Sequence, residues 1–414
     1  MNRRRVAVTG LGLVSSQGQD PEAAFEAWCA GRSGIAVHDF GEAPHSIALP
    51  YALCTDFEAA AFLGKARLTT MDRVSQLSTV CAMQAWADAG LDGLPQQARE
   101  SVPVHWGTGA GGMQTTERSY RDLFLKGRSR ISPLSVVLGM QNAAASQIAL
   151  QLELGADCIT YSVACSSSAV AIGEAFRRVR AGDAPLALAG GAEAALPFGM
   201  LKAWESLQVL APAGDDPARS CRPFDAERRG LVLGEGAAAL VLEDWDHAMQ
   251  RGARIYAEIV GYGSSCDHSH LTTPSAKGQV RALKQALADA DLSVEMVGYV
   301  NAHGTATREG DPVEIAALCE VLGEHAANVM ISSTKSMHGH LLGAAGAIEA
   351  LNTVLALHRQ AVPATLNLNV LDPACAGMRH AGGQASVPLQ AALSNSFAFG
   401  GSNAVIALRA VMQA

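Results

Sequence analysis

One cysteine and two histidines stand where side chains could do chemistry. The segment CITYSVACSSSAVAIGEAFRRVRAG, from Cys158 to Gly182, reads as a strand that breaks at Ala164-Cys165 and continues as a helix of small residues. That places Cys165 at a helix N-terminus, where the dipole and free N–H groups favour a thiolate and can hold an oxyanion. His303, in YVNAHGTATREGDPVE, and His340, in SSTKSMHGHLLGAAG, each follow an apolar β-rich run and lie in Gly/Ser/Thr turns. Side chains converge at such strand ends. A cysteine with two histidines suits acyl transfer, although on spacing alone His338 and His105 compete for the same role. The other eight cysteines of the nine read as small buried hydrophobes. Asp311 and Glu314 look like a carboxylate pair, but D-P-V-E has the spacing of a capping box with proline at the first helical position, and a helix cap is the expectation.

The elements that would position these groups follow a regular scheme. Short β-branched runs alternate with Ala-rich helical segments, which argues for a parallel or mixed sheet layered with helices. Within MDRVSQLSTVCAMQAWADAG, Val74, Leu77, Val80, Cys81, Met83 and Trp86 fall at near-helical spacing and predict a core helix. RVAVTGLGLVSS at 5–16 echoes RIYAEIVGYGSS at 254–265, and the turn around Cys165 is echoed by the one around His340. Two related halves, 1–250 and 251–414, are expected. The offset between echoes falls from 249 residues at the strands to 175 at the turns, so the first half carries roughly 74 extra residues, read as an inserted cap or dimer layer.

Composition removes several function classes. The chain has 414 residues, 49% hydrophobic and 17% charged, which is the balance of a folded α/β enzyme and not of a disordered chain. A net charge of −8 gives no general support for nucleic-acid or anionic-membrane binding. The odd cysteine count, without C-x-x-C pairs or matching His spacing, predicts neither a disulfide scaffold nor a metal site. No apolar run reaches the ~18 residues of a membrane span. The basic start, MNRRRVAVTGLGLV, reads as a first strand and not an export signal. A cytoplasmic location is expected. GTGAGG at 107–112 lacks the context of a dinucleotide fingerprint.

Five blocks then carry a family resemblance: ACSSSA at 164–169, RPFDAERRGLVLGEGAAALVLE at 222–243, NAHGTAT at 301–307, STKSMHGHLLGAAGAIEA at 333–350 and NSFAFGGSN at 395–403. Together, in this order and from end to end, the chain resembles the elongating β-ketoacyl-acyl-carrier-protein synthases, especially the type II enzyme. The resemblance implies an α/β fold of the thiolase type, five αβαβα layers in two pseudo-repeated halves, usually as a homodimer. It implies that Cys165 is the acyl acceptor, that His303 and His340 act on a malonyl group, that Lys335 supports them, and that Glu349 pairs with Lys335. A lysine in so apolar a neighbourhood requires a carboxylate partner. By the same resemblance Thr305 and Thr307 bind a phosphopantetheine arm, and Phe399 gates the site and completes the oxyanion hole, with Gly400 beside it giving the loop freedom to move. The partner implied is acyl carrier protein, and no cofactor or metal is required.

Departures from the family pattern bear on substrate. The turn reads Cys-Ser-Ser-Ser, closer to polyketide-type synthases. Ala110 replaces a bulkier aliphatic that narrows the acyl tunnel, so longer, kinked or polyene chains become expected substrates. Ala398 and Ser402 point the same way. For carrier docking, Thr69 and Thr70 replace two basic residues, while Lys65, Arg67, Lys126, Arg128 and Arg130 remain. A degradative thiolase would need a second cysteine in the C-terminal Gly-rich loop, where Phe397 and Phe399 stand and Cys375 lies well upstream. An initiating synthase would have asparagine at His340. A non-catalytic chain-length subunit, the partner in a possible heterodimer, usually lacks the nucleophile that Cys165 supplies here.

Overall fold

The computed structural model describes residues 3–383 and 385–411. Its first strand, β1 (Val6–Val14), is buried along its whole length and lies at the middle of the molecule. The first half continues with α1 (Arg73–Asp88), β2 (Val104–Gly107), α2 (Ala143–Leu152), β3 (Cys158–Tyr161), α3 (Ser167–Ala181), β4 (Leu186–Glu193) and β5 (Gly236–Asp244). The second half runs β6 (Ala257–Cys266), α4 (Ala276–Ala290), β7 (Val297–Asn301), α5 (Gly310–Leu322), β8 (Met330–Ser332), α6 (Ala345–Arg359), β9 (Arg379–His380), β10 (Ala391–Phe397) and β11 (Ser402–Ala410). One 11-stranded sheet results, in the order β9-β8-β7-β10-β11-β6-β1-β5-β4-β2-β3. Outward from the central β6–β1 pair, both sides list their strands in the same chain order, so the two halves repeat one topology.

Period-two patterning explains the layers. Ala187, Ala189, Ala238, Leu240 and Leu242 of β4 and β5 face a core built on α3 and α6, whereas Leu186, Leu188, Ala237, Ala239 and Val241 face one built on α1 and α2. In the second half Val297, Val300, Leu393 and Val405 pack against α4 and α5. Helices therefore cover both outer faces and fill the middle, which gives five αβαβα layers. Of the middle helices, α6 is buried from Ala345 to Leu357. Gly10 and Gly12 of β1 let α1 pack directly on the strand, because a Cβ at either would overlap the carbonyl oxygen of Ala85 or Cys81.

Between β1 and the nucleophile turn the first half is longer than its counterpart. Residues 15–72 include a hairpin, Ile35–Glu42 with His45–Ala52, which pairs with Leu233–Gly234, whereas residues 267–275 connect β6 to α4 directly. At the free edge lies β3, with Cys158 and Ile159 exposed and Tyr120, Phe124, Leu125, Val136 and Val137 exposed in the region before it. Among the described residues no helix is long and apolar enough to cross a membrane.

Candidate active site

The nucleophile turn is built by its own serines. Ala164 takes a left-handed φ of 51°, a conformation costly for a side chain with a Cβ. Ser167 holds it: its Oγ accepts from the Val163 N–H (3.0 Å) and donates to the Ala164 carbonyl (2.6 Å). Ser166 donates to the Val163 carbonyl (2.9 Å) and meets Ser402 Oγ at 3.0 Å, while Ser168 accepts from the Ala347 N–H (2.9 Å) at the start of α6. The Cys-Ser-Ser-Ser run thus fixes Cys165 in a 3₁₀ turn before α3 and bolts that turn to the second half.

Three chemical groups converge there. His340 Nε2 lies 3.0 Å from Cys165 Sγ, and the His303 and His340 rings meet edge to face with centroids 5.3 Å apart. All three residues are buried. Lys335 Nζ is bonded to Glu349 Oε1 and lies 3.3 Å from His303 Nδ1. An ammonium only donates, so Nδ1 of His303 accepts and its proton sits on Nε2. His340 Nδ1 has no partner. A proton there would bury an unpaired donor, which places the proton on the Nε2 that faces Cys165.

Electrostatics keeps these imidazoles neutral. Burial, then Lys335 and the neighbouring imidazole, hold His303 well below its ordinary range; burial, Lys335 and His338 do the same to His340. Burial also pushes the Glu349 carboxyl up to about 7 against the pull of Lys335. At Cys165 the expected thiolate is not the resting state. Burial pushes the thiol up to about 12, opposed by Lys335 and the Phe399 N–H and reinforced by Glu349 and Glu193. Desolvation outweighs Lys335 and the Phe399 N–H, so the thiol loses its proton only as it attacks.

The Phe399 N–H points at Cys165, and the Cys165 turn supplies its own amide. Phe399 stacks on Trp204 at 6.0 Å, while Gly400 next to it has φ 81° and donates to the Leu271 carbonyl at 2.7 Å. A cavity of about 690 Å³ opens from Cys165, His303 and His340 past Thr305, Thr307 and Phe399. The hydroxyls of Thr305 and Thr307 are 3.0 Å apart and face it. Gly400 and Ala110 do not line it; Ala110 is half-buried after β2, its N–H given to Glu193 at 3.1 Å.

Several expectations need correction. Asp311 and Glu314 form no cap: the helix begins at Gly310, whose N–H goes to Thr307 Oγ1, and both carboxylates are buried inside its first turns. Glu314 instead accepts the N–H groups of His303 and Gly304, each at 2.8 Å, and an amide hydrogen of Asn395 at 3.1 Å. Asp311 accepts from the Phe224 N–H at 2.8 Å. Cys158 and Cys266 are exposed and Cys319 is half-buried, so the buried reading fails for these three; all nine cysteines are free. The competing histidines are occupied elsewhere: His338 by the Gly339 carbonyl and Thr334 Oγ1, His105 by Tyr161. One supporting residue was not anticipated. Buried Glu193 accepts from Gly109, Ala110 and Gly343, joining loops of both halves.

The donor atoms of Cys165, His303 and His340 lie within 4.8 Å of one another, close enough to hold a metal ion. The Lys335 ammonium behind His303 works against a dication there.

Residues 3–248 match the β-ketoacyl synthase N-terminal domain and residues 256–369 its C-terminal domain. The chain belongs to the β-ketoacyl synthase family. It is 38% identical over 412 residues to 3-oxoacyl-[acyl-carrier-protein] synthase 2 of Synechocystis, covering 99% of each chain. It is 39% identical over 408 residues to nodulation protein E of a Rhizobium species, covering 99% of this chain and 100% of that one. Among solved structures, a β-ketoacyl synthase of Burkholderia phymatum superposes with a TM-score of 0.90 at 36% identity, and the ishigamide ketosynthase/chain length factor with 0.90 at 31%. Each covers 99% of this chain and is itself covered completely. The synthase fold is thus of the thiolase type, and the enzyme is a condensing acyltransferase.

Proposed function

We propose that this synthase joins an acyl group held on Cys165 to a two-carbon unit from malonyl-acyl-carrier protein. The carrying observation is the approach of Cys165 Sγ to His340 Nε2 (3.0 Å) beside His303, at the closed end of a cavity lined by Thr305 and Thr307. An acyl-carrier thioester enters, Cys165 sulfur attacks its carbonyl, and the Cys165 and Phe399 amides hold the oxyanion. The carrier departs as its thiol, taking up the proton that Cys165 gives up. Malonyl carrier follows. Loss of CO2 leaves an enolate whose oxygen accepts from the Nε2–H groups of His303 and His340. Its carbon attacks the Cys165 thioester, 3-oxoacyl carrier is released, and the Cys165 thiolate takes up a proton. Lys335 and Glu349 fix the tautomer of His303. The steps call on no nicotinamide, flavin or metal.

Acyl carrier protein is the partner this reading requires, and a structural neighbour is a type II polyketide acyl-carrier protein in complex with its ketosynthase (TM-score 0.87, 30% identity). Lys126 and Arg128 are both paired with Asp122, which leaves Lys65, Arg67 and Arg130 as the freer of these five basic groups. The exposed edge strand β3 and the apolar surface around it suit a second copy of the chain. A chain-length subunit in that place is the second reading, favoured by the likeness to the ishigamide ketosynthase/chain length factor.

Intact mass after incubation with a panel of acyl carriers tests the assignment. Acylation of Cys165, absent in Cys165→Ala, is expected; acylation by saturated chains alone assigns fatty-acid elongation, and by polyene chains alone a specialised pathway. No acylation by any carrier overturns the reading.

A further inference from the structure

Beside the catalytic cavity lies a second one of about 580 Å³, whose wall carries Arg219, Arg222, Arg228, Arg229 and Arg308. Two of these, Arg229 and Arg308, line both cavities. The arginines differ in what already holds them. Arg228 is buried and spent on Asp372, Asp311 and three carbonyls. Arg222 is paired with Asp225 and Glu227, and Arg219 donates to the Asn369 side-chain oxygen. Arg229 and Arg308 are exposed and have no side-chain hydrogen bond or ion pair among the described residues. The acidic groups of the same wall are Glu227, already paired, and Asp215 and Asp216 on an exposed loop.

Chain geometry puts this pair at the outer end of the reaction cavity. The strand-end segment emerges at its end: His303 to Ala306 are buried, Thr307 is half-buried and Arg308 is exposed. Arg229 is held alongside, because the next residue, Gly230, donates its N–H to the Ala306 carbonyl at 3.1 Å. A thiol-bearing arm that reaches Cys165 past the Thr305 and Thr307 hydroxyls runs through a cavity whose lining also carries both guanidinium groups, with Glu309 and Asp267 as its acidic neighbours. On the reading above, the group at the outer end of that arm is a phosphate.

We propose that Arg229 and Arg308 form an anion site for the phosphate of the phosphopantetheine arm. Two unpartnered guanidinium groups lining one cavity match the bidentate, charge-assisted hydrogen bonding that phosphate oxygens accept. The same phosphate occurs on a carrier's serine and in coenzyme A, so the chemistry is shared and the donor identifies the source. The proposal rests on acyl transfer through Cys165.

The test compares wild type, Arg229→Ala, Arg308→Ala and the double variant by the rate of Cys165 acylation, read as intact mass, at low and high salt. Four donors carry the same acyl group: acyl-pantetheine, acyl-4′-phosphopantetheine, acyl-coenzyme A and acyl-carrier protein. The double variant is expected to slow by roughly tenfold or more with acyl-phosphopantetheine and acyl-carrier protein, with no change for acyl-pantetheine, and the difference should shrink as salt rises. A matching loss with coenzyme A extends the site to that source. Loss with the carrier alone would show that the arginines touch the carrier's protein surface, and equal loss with acyl-pantetheine would show a structural role; either overturns the proposal, as does no loss at all. Wild type acylated by none of the four donors would overturn the acyl-transfer reading itself, and the site with it.

Discussion

Replacing Glu314 by glutamine separates the two half-reactions. The carboxylate gives Oε1 to the His303 N–H and Oε2 to the Gly304 N–H, both at 2.8 Å, with Asn395 adding a third donor at 3.1 Å. Glutamine keeps one acceptor oxygen but turns an NH2 group toward the other backbone N–H, leaving a buried donor unpaired at a cost of about 1–3 kcal/mol. The remaining bonds lose their charge assistance, which roughly halves them. Together the change should lower stability by about 2–4 kcal/mol. Its catalytic effect is expected on one side of the site, because Glu314 anchors the backbone of His303, whereas acylation in the proposed mechanism uses Cys165 and the Phe399 amide. Single-turnover assays should show CO2 release from malonyl carrier falling at least about tenfold, equivalent to ~1.4 kcal/mol, while Cys165 acylation measured by intact mass changes far less. Urea unfolding measures the stability term. Equal losses in both half-reactions, or unchanged stability, would refute the positioning role.

Other perturbations probe the remaining parts. Glu349→Leu strands the fully buried Lys335 without its counterion and should cost about 3–5 kcal/mol, whereas the double variant Lys335→Met/Glu349→Leu should recover most of that in urea unfolding and stay inactive. His303 and His340 should both remain neutral at pH 6, below the ordinary histidine value of 6.5, and ¹⁵N NMR of labelled imidazoles would show it; titration at 6.5 would contradict the burial argument. His338, depressed to about 3, favours the folded state above pH 6.5 and loses that contribution as pH falls, since the unfolded chain then binds the extra proton. The stability difference between wild type and His338→Asn should therefore shrink by about 1.4 kcal/mol per pH unit below 6.5.

What could be read from the sequence depended on how local its cause was. Helix α1 was visible because its core contacts recur within its own turns, and the repeat because β1 and β6 share the glycines that close packing demands. Cys165, His303 and His340 stood out through their turns, and the structure brings the three together. Glu314 was misread because D-P-V-E fits a helix start, while the true start at Gly310 is set by Thr307, and its partners His303 and Gly304 lie in the preceding turn. Glu193 gave no signal at all, since its donors lie 83 to 150 residues away. The protonation of Cys165 was misjudged because a helix terminus is written in the sequence and the burial around it is not. Exposed Cys158 and Cys266 belong to a strand at the sheet edge and to a strand end, places that hydrophobicity alone does not reveal.

The nucleophile and its two imidazoles belong to different halves, and the ladder between those halves is short. β1 pairs with β6 at only Val6–Ile259, Ala7–Glu258 and Val8–Ala257. The distance from Cys165 to His340 therefore acts as a gauge of registration between two halves that otherwise meet through the core shared by α3 and α6. Heat or pressure that shifts one half against the other is therefore expected to lower the condensation rate before the helical signal falls.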